Sequence, residues 1–198
     1  SEAWKELQKF AEEFNIPIGE TQAGKGLISW DHPLNLGGIG VTGGKAANII
    51  AKDADLIIGI GTRLTDFTTC SKWGFRNPEC KILAINVCAF DAVKMDAEAI
   101  QADAKEALFA LRKSLKARNY SSQYKKEVID AKREWDDIVN DFYNLAEDRH
   151  GIPQTRALGE INRYMKAKDI AVGSAGSLPG DMQRLFRPGN RNTYHMEY

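Results

Sequence analysis

Ten of the 17 glycines in this 198-residue chain fall between Ile16 and Asp66, and each cluster of them follows a short apolar run. That pairing constrains the fold more than any other feature. Leu56 to Ile60, in DADLIIGIGTRLTD, is almost wholly apolar and rich in β-branched residues. Such a run predicts a parallel strand covered on both faces by helices and flanked on both edges. Gly59 and Gly61 let the backbone turn where the strand ends. In an open α/β sheet, ligands bind outside the carboxyl ends of the strands, so GIGTR is either one wall of a site or an ordinary helix-packing turn.

The rest of the first 115 residues continues the alternation. Trp4, Leu7, Phe10, Ala11 and Phe14 recur at helical spacing and predict an amphipathic helix over 1–15. In a βαβ arrangement a strand precedes such a helix, so the sequence reads as a fragment cut just after that strand. Strands are predicted near 16–19, 56–60, 82–87 and 99–102, with helices over 46–52 and 104–115. Trp30, His32 and Pro33 read as loop. The fold class is α/β, a parallel, Rossmann-like, doubly wound sheet.

From Lys116 to Arg149 the composition shifts, with 15 of 34 residues charged and both signs interleaved. Val128, Trp135 and Phe142 repeat every seven residues, as do Ala131, Ile138 and Leu145, predicting a helix with one packed face. We take 1–115 as one domain, 116–150 as a helical connector and 151–198 as the opening of a second α/β domain. That last piece is predicted to hold a helix with Leu158, Ile161 and Met165, a strand at 169–174, a turn at 175–181 and a short helix from Met182. A lone strand and two helices cannot bury a core of their own.

Composition narrows the function. Lys plus Arg equals Asp plus Glu, 27 each, without a long basic run, which points away from nucleic acid and membranes and toward a small-molecule substrate. Cys70, Cys80 and Cys88 form no CxxC pair, and no apolar run nears the ~20 residues of a membrane helix, so the expected setting is cytoplasmic. His32, His150 and His195 have no metal-binding spacing. Ser174 and Ser177 lack a GxSxG elbow, and Leu64 stands where a GxGxxG motif needs its third glycine. Asp66 follows the strand too closely for a ribose-binding acid and reads as a helix cap or ion-pair partner. The residues themselves therefore assign no catalytic or metal-binding side chain.

A resemblance adds what spacing does not. IPIGETQAGKGLISWDHPLNLGGIGVTGG, AKDADLIIGIGTRLTD, KILAINV and ADAKEALFALRKSL resemble the middle domain of thiamine-diphosphate enzymes of the acetohydroxyacid synthase and pyruvate oxidase type. RLTDFTT, INVCAFDA, DIAVGSAGSLPGDMQRLF and TYHMEY are similar to the branch of that family that opens a cyclic 1,2-dione in myo-inositol catabolism. The resemblance implies a homodimeric or homotetrameric parent using thiamine diphosphate and Mg²⁺, with most of its cofactor and substrate contacts outside these residues. Gly176, Ser177 and Leu178 match the family position that approaches the diphosphate. Leu178 and Pro179 replace polar residues there, leaving backbone N–H groups and the Ser177 hydroxyl as donors. The middle domain of related enzymes binds FAD. Here Arg63 is retained, but Asn86 stands for the family's Asp and DFTTC for its Asp-Arg-x-Thr-Gly, which implies a vestigial or absent flavin site. The isolated chain is expected to be inactive. The alternatives are an acetohydroxyacid synthase-type carboligase and a non-catalytic FAD or nucleotide-binding module.

Overall fold

The structure is a computed structural model describing residues 2–174 and 176–196. Its first helix, α1 (Trp4–Phe14), buries Phe10, Ala11 and Phe14, positions three and four apart that share one face. Asn15 ends it in the left-handed region at φ 55°, a conformation asparagine tolerates, and its N–H bonds Ala11 O. The chain thereby reverses into β1 (Ile18–Glu20), which pairs in parallel with β2 (Asn35–Gly38). Sequence reasoning assigned no strand to 35–38, because glycine in a strand weakens it. Contact explains this one: a Cβ on Gly38 would lie 2.8 Å from the carbonyl oxygen of Gln183.

From β2 the chain passes through α2 (Lys45–Lys52) to β3 (Leu56–Ile60), β4 (Lys81–Asn86) and β5 (Glu98–Gln101), a second parallel ladder in that order. The short helices α3 (Asp66–Thr69) and α4 (Ala89–Ala92) follow β3 and β4. Asp66 is the first residue of α3 rather than its cap, a position held by Thr65. Helix α5 (Ala104–Ala117) starts at Asp103, whose carboxylate accepts from the N–H groups of Lys105 (2.8 Å) and Glu106 (3.3 Å). Its Leu108 packs with Phe10 and Phe14 against Ile58 and Ile60.

The expectation that 56–60 is flanked on both edges is corrected. Among the described residues β3 pairs β4 alone, β1 pairs β2 alone, and the two ladders are not hydrogen-bonded to each other. Leu56, the first residue of β3, is 45% exposed.

Helix α6 (Lys126–Tyr143) packs one face on α2 and β2, as its charge pattern predicts. Its buried stripe starts at Val128 but ends on Val139 and Tyr143, leaving Phe142 37% exposed. Val128 lies in the cluster with Leu36 and Ala47, whereas Val139 and Tyr143 join a second cluster with Leu158 and Met182, so the change of packing partner moves the stripe. Beyond it come α7 (Gln154–Tyr164), β6 (Ala171–Gly173), α8 (Leu178–Leu185) and β7 (Tyr194–Met196). Strand β7 pairs β6 in parallel, so this part holds two strands where the sequence suggested one. Helix α8 starts four residues before the predicted Met182, since Pro179 falls in its first turn, where the missing N–H costs nothing. Of the predicted 175–181 turn and the closing YHMEY, Ala175, Glu197 and Tyr198 lie outside the described residues, as does Ser1 of the first helix.

Val139 and Tyr143 of α6 join Leu158, Met182, Leu185, Phe186, Tyr194 and Met196 in one buried cluster. The Tyr143 hydroxyl lies 2.5 Å from Leu185 O and 2.7 Å from Asn162 Oδ1, two acceptors for its single proton. Burial pushes that phenol far above the usual tyrosine range, against the opposing pull of Arg187. The ring seats on Gly159, where a Cβ would come within 2.6 Å of Tyr143 Cγ.

Candidate functional site

Gly176, Ser177 and Leu178 form the entry to α8 directly after β6. Gly176 sits at φ +108°, a region that favours glycine, and a Cβ there would meet nothing within 4 Å. Gly176 and Ser177 are exposed, whereas Leu178 is half-buried against the cluster around Tyr143. Ser177 O accepts from Gly180 N (3.1 Å) and Asp181 N (3.3 Å), and the Ser177 hydroxyl makes no capping bond. Pro179 has no N–H. The donors this turn can offer an anion are thus the backbone N–H groups of 176–178 and one hydroxyl. Asp181, in the same first turn, opposes an anion at a helix N-terminus.

The turn is held from below by the glycine loop after β2. Gln183, buried at 3% exposure, donates from Nε2 to Ile39 O (3.0 Å) and accepts from the Thr42 hydroxyl. Arg184 Nε donates to Gly43 O (3.4 Å), and Gln22 Nε2 donates to Pro179 O (3.2 Å) and the Tyr194 hydroxyl (3.0 Å). Glycine permits the close approach: a Cβ at Gly38 would lie 2.8 Å from Gln183 O of α8, and one at Gly44 would strike the Trp135 indole of α6 at 2.6 Å.

Beside this contact lies a buried ionic group that sequence reasoning missed. Glu20 and Lys25, 5% and 8% exposed, face each other with Lys25 Nζ 4.0 Å from Glu20 Oε2, and Glu20 Oε1 accepts from Gly26 N (2.9 Å). Burial pushes the Glu20 carboxyl up, against Lys25 and the Gly26 N–H, and pushes the Lys25 ammonium down, against Glu20. Lys132 donates to Trp30 O (2.8 Å) and Asn35 O (3.1 Å), and Arg187 bonds Asp136 while lying 4.5 Å over the Trp30 ring. These side chains border a cavity of about 30 Å³, too small for a cofactor. Their positions, up to 167 residues apart (Glu20 to Arg187), give no pattern in the sequence.

At the other strand ends, Gly61 turns the chain at φ +63° with its N–H on Ile85 O (2.8 Å). Asn86 spends its amide on the main chain: Nδ2 donates to Thr62 O (3.1 Å), and Oδ1 accepts from Cys88 N (3.0 Å). Arg63 is exposed. The histidines are scattered. His32 Nδ1 accepts from Leu34 N (3.2 Å), so Nε2 carries the proton toward Glu12 (3.0 Å). His150 contacts Arg149, and His195 is exposed on β7. Among the described residues no group of three or more His, Cys, Asp or Glu is placed to hold a metal ion.

Residues 1–133 match the thiamine pyrophosphate enzyme central domain. The chain belongs to this family. Its whole length is 46% identical to 3D-(3,5/4)-trihydroxycyclohexane-1,2-dione hydrolase of Clostridium tetani, 49% to that of Clostridium perfringens (strain ATCC 13124) and 48% to that of Bacillus cereus (strain AH820). In each case it spans about a third of the relative, 34% of its length. The parallel α/β ladders agree with the central-domain assignment, and thiamine diphosphate is the cofactor the family implies. Among the described residues no helix is long and apolar enough to cross a membrane.

Proposed function

We propose that this chain is the central portion of a thiamine-diphosphate- and Mg²⁺-dependent hydrolase that opens a cyclic 1,2-dione by cleaving a carbon–carbon bond, a step of myo-inositol breakdown. The observation that carries this reading is identity of 46–49% along the whole chain to proteins of that name, running through the AGSLPGD turn as well as the central domain. Residues 1–115 serve as the middle domain, 116–150 as the connector and 151–198 as the opening of the diphosphate-facing domain. The parent is a cytoplasmic homodimer or homotetramer, a setting that suits three cysteines present as free thiols.

When bound, thiamine diphosphate supplies the carbon nucleophile that this chain's side chains do not offer. The contribution of these residues is binding and orientation. Backbone N–H groups of Gly176 to Leu178 and the Ser177 hydroxyl would donate to one edge of the diphosphate, and open space at Gly176 lets the anion approach the main chain. Leu178 anchors that edge in the core, while Gln183 and Gln22 fix it to the middle domain. A flavin has no part in this scheme. Asn86, which stands where related enzymes carry an acid, is committed to Thr62 and Cys88, and this supports a structural role for the former flavin loop.

The full-length parent tests the reading. It should hydrolyse trihydroxycyclohexane-1,2-dione when supplied with thiamine diphosphate and Mg²⁺; condensation of two pyruvates with the dione untouched would assign it to the carboligases instead. The 198-residue chain alone should show no micromolar affinity for thiamine diphosphate in calorimetry, since its donors carry no charge to compensate the diphosphate.

A further inference from the structure

Lys25 lies in the loop between β1 and β2, and its side chain is 4% exposed. Its Nζ carries three N–H groups, yet among the described residues its one ion-pair partner is Glu20 Oε2, 4.0 Å away and beyond hydrogen-bonding distance. A buried ammonium without hydrogen bonds is costly. Lys25 also lines the small cavity, whose volume of about 30 Å³ has room for one or two water-sized groups.

The charge around that space decides what fills it. Lys25, Lys132, Arg184 and Arg187 line it together with Glu20 and Asp136, four cations to two carboxylates. Three of the cations have turned donors to other partners. Lys132 donates to Trp30 O (2.8 Å) and Asn35 O (3.1 Å) and pairs with Asp136 Oδ2 (3.4 Å). Arg187 donates to Asn140 Oδ1 (2.6 Å) and Asp136 O (2.9 Å), and Arg184 to Gly43 O (3.4 Å). These three supply the field, and Lys25 supplies the contact. A water molecule would accept a Lys25 proton but leave two excess positive charges in a poorly solvated space, whereas a small anion answers both needs. We propose that this cavity binds one small monovalent anion of the chloride class, held by hydrogen bonds from Lys25 Nζ and by the positive charge of Lys132, Arg184 and Arg187. Its lining comes from β1 and the loop after it, from α6, and from α8 with the residues that follow, so the bound anion braces these parts against one another.

The test replaces sodium gluconate with sodium chloride at constant ionic strength, so that screening is unchanged, and follows the chloride NMR line width in solutions of the 198-residue chain. The excess line width should saturate, with half-saturation at millimolar chloride. Glu20→Gln keeps the shape of the side chain and removes its charge, so it should tighten binding about tenfold or more, the scale of one nearby unit charge at an effective dielectric of about 20. Lys25→Met should abolish the saturable component. If that variant does not fold, Glu20→Gln/Lys25→Met lacks the same ammonium without stranding a carboxylate and should abolish it too. An unchanged or weaker affinity in Glu20→Gln, or saturable broadening that survives the loss of Lys25, overturns the proposal. Absence of saturable broadening in the unsubstituted chain overturns it in favour of water.

Discussion

Replacing Lys25 with methionine keeps the length and apolar stem of the side chain and removes only the charge, so its effect isolates the Glu20–Lys25 pair. The variant strands a carboxyl group that is 5% exposed, with Gly26 N–H at 2.9 Å and the Asn35 side chain left as hydrogen-bond partners. A buried charge that has lost its partner costs about 3–5 kcal/mol if it stays ionised. Glu20 has a way to limit that cost, which is to take up a proton. At pH 7, the ~2.7 pH units above an unfolded glutamate's pKa of about 4.3, at about 1.36 kcal/mol each, set this cost at about 3.7 kcal/mol. At pH 5 the same reasoning leaves about 1 kcal/mol. The sign follows from burial raising the Glu20 pKa in the fold: the protonated form's stability is complete below about pH 4.3 and is lost as the pH rises. Urea unfolding is the assay. With a slope of about 2–3 kcal/mol per molar, Lys25→Met should lower the midpoint by about 1–2 M at pH 7 and by less than half as much at pH 5. The double variant Glu20→Gln/Lys25→Met should recover most of the loss, because removing both members of a buried pair is often neutral. An equal penalty at both pH values, or a double variant as unstable as the single one, would refute the argument.

Gly159→Ala should destabilise the fold by about 1–2 kcal/mol despite alanine's advantage of about 1 kcal/mol in a helix, because its methyl group overlaps a Tyr143 ring that the hydroxyl's bonds hold in place; thermal unfolding reads the net sign. Tyr143→Phe should cost about 1–1.5 kcal/mol in urea unfolding at neutral pH. Since burial raises the Tyr143 pKa, its stabilisation is complete below about pH 10 and lost above it, so the phenylalanine variant should show a shallower alkaline decline in Tm. Asp103→Ala removes the cap of α5 and should cost about 1 kcal/mol, with Asp103→Asn recovering most of it in the same urea assay.

Strands 56–60 and 81–86 were legible because a continuous β-branched run needs no tertiary partner to be recognised. Strand β2 was not, since NLGG has no strand propensity and owes its conformation to Leu36 in the core and Gln183 against Gly38. The start of α8 was misjudged for a local reason: proline reads as a breaker, yet at the second helical position it removes an N–H that has no partner anyway. The connector's heptad is visible in the sequence, but its buried end falls on Val139 and Tyr143 because they pack in a second cluster, which the repeat does not reveal. Of the site, Gly176 to Leu178 could be singled out only through family resemblance. Glu20, Lys25, Lys132 and Arg187 could not be found at all, because each looks like an ordinary surface charge until the chain folds back on itself.

The clasp between α8 and the glycine loop also sets an order of events in synthesis. Thr42 must wait for Gln183, 141 residues later, before the hydroxyl can donate, and Gln22 waits 172 residues for Tyr194. At about 5–20 residues per second, the glycine loop emerges and stays without its partner for about 7–28 s. Closing so long a loop adds little entropy beyond that of a shorter one, so the delay is a matter of time rather than of final stability. During that interval the carbonyls of Ile39 and Gly43 lack their Gln183 and Arg184 donors, and slowing translation ahead of Gln183 should raise the yield of aggregate before it alters the Tm of what folds.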